Sequence, residues 1–372
     1  MPATNPFFST ADGESRLLVT LTVVASIIVS ACSTAPLTPY SEDTPPLVLL
    51  PVSQAAIEDK RGRFREIFCA ILDERSQSLP DYQPCDEALT RVGVEPEGTG
   101  KKVELGSSGR GLVVVIVPGV GWDCFSSWLN PNGSAAKHVG QFGYGMERLP
   151  VDALSSTTNN ARQIRDGIMA MEHKDVRPNL VLIGYSKGAA DILEAVVSYP
   201  EIRGRIAAVV SAAGSIGGSP LANDASQSEL ALLRHWPDAQ CSEGDGGAIE
   251  SLRPATRKAW LAKNPLPVDF PYYSLVTYPK PERISSILES SYDKLSQIDS
   301  RNDSQLLFYD QLIPGSSLIG YVNADHWALV VPVARTHSTI GSVFVDQNDY
   351  PREALLEAIL RFVEEELSAS SR

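Results

Sequence analysis

Positive charge is in short supply in this sequence: 32 Lys and Arg stand against 45 Asp and Glu, for a formal net charge of −13. Such a balance argues against a nucleic-acid binder, which needs basic faces to neutralise phosphate, and is read mainly as a solubility feature. Cysteine is scarce as well, and none of the five falls in a CxxC or CxxH spacing, which argues against a zinc site. No segment repeats along the chain, so a solenoid or propeller is not expected. The apolar stretch from Leu17 to Ile28 falls short of the roughly 20 residues that a bilayer span requires, which disfavours a permanent transmembrane helix. Histidines number only five: His138, His173, His235, His326 and His337. Any imidazole base must come from this short set.

Against these absences stands one dense signal. Leu180-Val181-Leu182-Ile183 is an apolar run, and Gly184-Tyr185-Ser186-Lys187-Gly188 follows it directly, with Ala189 to Val197 reading as a helix. A serine presented at the tip of a sharp strand-to-helix turn needs glycine on both sides, because a Cβ there would collide with the neighbouring strand and helix. The surroundings alternate in the same manner. Leu112 to Val117 is an apolar, β-branched run, a helix is expected around Asn159 to Met171, and Ile206 to Ser211 reads as another strand. Further strands are expected at Tyr272 to Tyr278 and Leu318 to Val322, and an amphipathic helix from Pro351 to about Ser368 closes the chain. Continuous apolar strands alternating with helices predict a parallel sheet covered on both faces.

Serine near neutral pH is a poor nucleophile, so it needs a base, and the base needs an orienting acid. His326 follows the last expected strand within Asp325-His326-Trp327, at the end where such a sheet presents its loops; His138 precedes the serine and is the fallback. Acids available between Ser186 and His326 include Glu282, Asp303 and Asp310. Asp325 adjoins the base, but its side chain is expected to point away. Preorganised donors for the developing oxyanion are expected from the backbone of Lys187, next to the serine, and from Pro118-Gly119-Val120-Gly121-Trp122, with Val120 or Gly121 as the second donor.

With these residues assembled, the chain resembles the α/β-hydrolase superfamily, particularly bacterial lipases and esterases, over about residues 111 to 368. Those enzymes often carry an Asn-Asp-Gly-Leu-Val-like segment whose aspartate orients the histidine. Asn302-Asp303 fits it, with Ser304 in place of the glycine, so the resemblance favours Asp303, with Asp310 and Glu282 as alternatives. The oxyanion loop matches in place, although Pro118-Gly119 replaces the usual His-Gly. The resemblance implies the α/β-hydrolase fold and a Ser186-Asp303-His326 triad. It implies cleavage of a carboxylic ester or thioester through an acyl-serine, with no metal or organic cofactor. A non-catalytic envelope protein that binds a partner on the same scaffold, or an acyltransferase, is the alternative. Trp122, Phe125 and Trp128 sit beside the expected oxyanion loop in sequence, where the expected roles are the lining of an acyl pocket or plain core packing.

The remainder of the chain supplies an address and staples. Val29-Ser30-Ala31-Cys32 after the apolar stretch resembles the lipobox of a bacterial lipoprotein, in which the chain is cut before Cys32 and the cysteine is acylated. The n-region departs from that pattern, with Asp12 and Glu14 beside Arg16. The expected organisation is a signal peptide over 1–31, a tether over 32–62, and a helical decoration and connector over 63–110. A hydrolase domain follows over 111–372, with a possible lid or cap over 214–268 that includes a helix at Glu229 to His235. An enzyme so anchored would face the periplasm from the bacterial cell envelope, the outer membrane in a Gram-negative cell, and meet small-molecule or lipid esters; ordinary secretion is the alternative. Four cysteines then remain, and Cys69 with Cys85 is the local pairing, worth about 3 kcal/mol by loop closure, which leaves Cys124 with Cys241.

Overall fold

The computed structural model of this protein describes residues 57–122, 124, 134–172, 178–225, 242, 244–336 and 343–369. Among the described residues, seven strands form one sheet: β1 (Glu58–Asp59), β2 (Val113–Val117), β3 (Gly145–Arg148), β4 (Leu180–Tyr185), β5 (Ile206–Ala212), β6 (Tyr272–Thr277) and β7 (Ser317–Val322). Their order is β1-β7-β6-β5-β4-β2-β3, and every neighbouring pair runs parallel. This is the expected α/β-hydrolase class of fold, with helices on both faces of a parallel sheet. The five apolar strands lie within two residues of their expected bounds, β4 running on through Gly184 and Tyr185. The two edge strands carried no comparable signal, since β3 is Gly-Met-Glu-Arg and β1 is a two-residue pair.

Each strand feeds two cores by alternation, because successive side chains leave a strand on opposite faces. In β4, Val181 and Ile183 enter one core while Leu180 and Leu182 enter the other. The first core is covered by α1 (Arg61–Arg75), α2 (Ser134–Gly140) and the C-terminal helix. The second is covered by α3 (Thr157–Ala170) and α4 (Lys187–Ser198), which bury Ile164, Ile168, Ile192 and Leu193. Each such side chain contributes roughly 1.5–3 kcal/mol by leaving water.

Helix α1, expected as part of a decoration, enters the main core. Phe64, Ile67, Phe68, Ile71 and Leu72 are all buried there, and the Phe64 ring meets that of Phe362 edge-on at 5.9 Å. The Cys69–Cys85 disulfide staples this helix to the short helix Cys85–Ala88 that follows. Cys124 is disulfide-bonded too, but the expected partner Cys241 lies outside the described residues. So do 1–31 and Cys32, most of the tether, Phe125, Trp128 and the helix expected at Glu229 to His235.

Two short helices, α5 (Ala248–Leu252) and α6 (Pro254–Lys263), belong to the expected insertion and are anchored to the core. The Ser156 amide donates to Asp245 at 2.6 Å and the Thr157 amide donates to the Ser251 hydroxyl at 3.0 Å, while Leu261 joins the second core. The chain closes with α7 (Arg352–Ala369), whose buried Glu357 gathers Arg75, His138 and Arg361. Burial pushes that carboxyl up, but the three hydrogen-bonding partners outweigh burial and hold it at about 2. His138, the fallback base, is therefore committed to this helix tie. Among the described residues, no helix is long and apolar enough to cross a membrane.

Candidate active site

The C-terminal ends of β4, β6 and β7 converge on one cluster. Strand β4 delivers Ser186 with φ 54° and ψ −125°, outside the helical region, and α4 begins at the next residue. The flanking glycines are required sterically. A Cβ on Gly184 would stand 2.3 Å from the Ala189 Cα in α4, and one on Gly188 would stand 2.1 Å from the Val117 carbonyl oxygen of β2. The Ser186 amide donates to the Ala212 carbonyl at 3.3 Å and its own carbonyl accepts from Ser215 at 3.0 Å, so the turn is tied to the end of β5.

His326 arrives from the loop after β7. Its Nε2 lies 2.9 Å from Ser186 Oγ, and its Nδ1 lies 2.8 Å from Asp303 Oδ2. Asp303 is fully buried, in a tight turn closed by an isolated bridge between Asn302 and Leu307. Its Oδ1 accepts from the amides of Gln305 at 2.9 Å and Leu306 at 2.7 Å, while Oδ2 accepts from the Thr277 hydroxyl at the end of β6. Gln311 braces the same strand end by exchanging bonds of 2.7 and 3.1 Å with the Thr277 backbone. These donors and the Asn302–Leu307 bridge fix which carboxylate oxygen meets the imidazole.

The alternative acids stand elsewhere. Asp310 is buried with its Oδ1 against Gly217, 3.8 Å from Lys258 Nζ, and burial raises its carboxyl to about 6 against the pull of that lysine. Glu282 is exposed in a short turn. Asp325, expected to point away from the base, accepts from the amides of Ser285 at 3.0 Å and Ala328 at 2.8 Å and so shapes the loop that carries His326.

The glycine loop after β2 lies against the serine: a Cβ on Gly119 would be 2.7 Å from Ser186 Cβ and 3.2 Å from its Oγ. Val120 is half-buried, and Gly121 takes φ +77°. Lys187 heads α4, where the first N–H groups have no acceptor within the helix. Its ammonium is buried and paired with Asp191 at 2.7 and 2.9 Å, and Asn160 donates to the same carboxylate at 2.8 Å. Only the backbone of Lys187 is left to face a ligand. Trp122 is half-buried beside Pro118 and packs against the first core.

Residues that the motif reading passed over include Thr277, Gln311 and Tyr185, whose hydroxyl donates to the His326 carbonyl at 2.7 Å. Tyr185 occupies a free position of the glycine motif, and Thr277 gave only the faint sign of a polar residue ending an apolar strand. Among the described residues, no group of three or more His, Cys, Asp or Glu is arranged to hold a metal ion.

Comparison with solved structures finds known enzymes of similar fold. The metagenomic carboxyl esterase MGS0156 is 39% identical, with 89% of this chain and 100% of that chain covered at a TM-score of 0.79. The mature Bacillus licheniformis lipase BlEst2 is 18% identical over 65% of this chain and 95% of that one, with a TM-score of 0.50. The Staphylococcus hyicus lipase is 12% identical over 73% and 100%, also at 0.50, so these two share the fold. No protein-family model and no curated protein matches the chain. At the identity and coverage shared with the metagenomic enzyme, the chain belongs to the carboxyl esterase family of α/β-hydrolases.

Proposed function

We propose that this chain hydrolyses carboxylic esters, with thioesters as a related substrate, through an acyl-enzyme on Ser186. The observation that carries this reading is the continuous hydrogen-bonded chain from Ser186 Oγ through His326 to Asp303, with links of 2.9 and 2.8 Å. His326 Nε2 takes the hydroxyl proton as Oγ attacks the ester carbonyl, and the C=O electron pair moves onto oxygen. The tetrahedral intermediate collapses by breaking the bond to the alkoxy oxygen, which leaves with the proton from Nε2. Water then repeats the sequence on the acyl-serine, releasing the carboxylic acid and restoring Ser186. Asp303 holds the imidazole tautomer and stabilises the imidazolium. The backbone N–H of Lys187, with that of Val120 or Gly121, receives the oxyanion, and losing one such donor typically costs about 10²–10³ in rate.

Nitrophenyl esters from acetyl to palmitoyl, together with covalent labelling by a fluorophosphonate, test the reading. Wild type is expected to turn over part of this series and to label, and Ser186→Ala to do neither. Folded wild-type protein that neither labels nor hydrolyses any member would favour the non-catalytic binding role. Acyl transfer to an added alcohol in preference to water would favour a transferase. We also propose, from Leu17 to Cys32 alone, that the enzyme is anchored to the bacterial envelope by acylation of Cys32. Mass spectrometry of the mature N-terminus checks that assignment, and an unmodified Cys32 rejects it.

A further inference from the structure

We propose that Tyr185 is a positioning residue that holds the base in register with the nucleophile, an inference that rests on the acyl-Ser186 reading. Tyr185 and Ser186 are consecutive, yet both reach His326: Ser186 Oγ meets the ring at 2.9 Å, and the Tyr185 hydroxyl donates to the main-chain carbonyl at 2.7 Å. The two rings also lie 5.1 Å apart with their planes inclined by 31°. One dipeptide at the end of β4 therefore grips the same histidine at its ring and at its backbone.

Such a grip matters because the imidazole hangs from a loop, while Ser186 belongs to the sheet. Hydrogen bonds at the two ring nitrogens orient the ring, but they do not by themselves stop the loop from sliding relative to β4. Three backbone ties oppose that movement. The His326 amide donates to the Asp303 carbonyl at 3.0 Å, Asp325 bonds the amides of Ser285 and Ala328, and Tyr185 supplies the tie to the nucleophile strand. The Asp303 and Ser285 contacts bind the loop to other loops, and the Ala328 contact lies within it. Tyr185 joins it to the element that carries Ser186, through a stiff side chain rooted in a buried strand. Burial first, then the charges of Asp303 and Asp325, push its phenol well above the ordinary value, so the hydroxyl remains a donor.

Tyr185→Phe removes the tie and keeps the ring. Turnover and KM are measured with a nitrophenyl ester, with kcat divided by the number of sites that a fluorophosphonate labels to completion. Dividing in this way keeps misfolded protein from imitating slow catalysis. The expected result is a fall in kcat of about tenfold per labelled site, the worth of one neutral hydrogen bond, with KM within about twofold of wild type. The rate of labelling should fall in parallel, since it draws on the same base. A kcat per labelled site within about twofold of wild type, or a change confined to KM, overturns the proposal, because a packing role alone would leave the chemical step intact. Ser186→Ala run alongside keeps the two readings apart. An active Ser186→Ala protein refutes the acyl-serine mechanism itself, whereas an inactive one beside a fully active Tyr185→Phe protein refutes the tie alone.

Discussion

Ser186 and Ser304 both hold a positive φ within one hydrogen-bonded cluster, at 54° and 79°, yet the two turns treat their serines differently. At Ser186 the carbonyl accepts from Ser215 and Ala189, the amide is bonded to Ala212, and the hydroxyl meets His326. At Ser304 the amide donates to Asn302 Oδ1 at 2.9 Å, but the fully buried hydroxyl has no hydrogen-bond partner among the described residues. The first turn needs a side chain in a strained conformation, because Oγ must project from the strand end toward the base. The second needs only the backbone shape that turns Asp303 toward the imidazole, which a glycine adopts without strain. The same conformational cost thus serves chemistry in one turn and has no visible return in the other.

Glycine substitution separates the two most sharply. Ser186→Gly relieves the strain but removes the nucleophile, so kcat for ester hydrolysis should fall by about 10⁶ while stability to urea is held or raised. A residual rate above about 10⁻³ of wild type would show that the turn matters and the hydroxyl does not. The acid turn is tested next by Asp303→Asn, which should lower kcat by about 10⁴ while the protein stays folded, because the amide supports the wrong imidazole tautomer. Substituting Asp310→Asn should cost far less, and an equal loss would mean that the acid has been misassigned. Gly119→Ala probes the other wall of the elbow. Its new Cβ would sit 2.7 Å from that of Ser186, and a displacement approaching 1 Å should cost about 10² in kcat/KM. The smallest effect is on stability: Ser304→Gly should raise the free energy of unfolding by about 1 kcal/mol, the relief of strain and of a buried hydroxyl outweighing glycine's added chain entropy. A destabilised Ser304→Gly protein would mean that the hydroxyl has a task in the turn.

Legibility followed burial and local pattern. The strands β2, β4, β5, β6 and β7 were readable because a strand covered on both faces must be apolar along its length. The edge strands β1 and β3 were not, since one is only two residues long and the other owes its place to pairing with β2 rather than to its own composition. Helix α1 showed its apolar spacing, but nothing local revealed that Phe64 would meet Phe362 in the main core, almost the whole chain away. In the candidate site, Ser186 stood out through its glycines and His326 through its place after a strand. The choice among Glu282, Asp303 and Asp310 was open to resemblance only, because spacing along a loop does not say which way a carboxylate faces.

What the sequence determined by itself was therefore whatever depends on neighbours along the chain: the apolar strands, the glycine-flanked turn at Ser186, the sulfur pair at Cys69 and Cys85, and the acidic balance that argues against nucleic acid. The tertiary structure alone decided the contacts between residues far apart in sequence. It turned Asp303 toward His326 and Asp310 toward Gly217, committed the Lys187 ammonium to Asp191, and brought the Tyr185 hydroxyl to the His326 carbonyl. Those contacts form where strand ends and loops from separate segments come together, and that meeting is set by how the sheet stacks its strands, an order with no trace in any single stretch of residues.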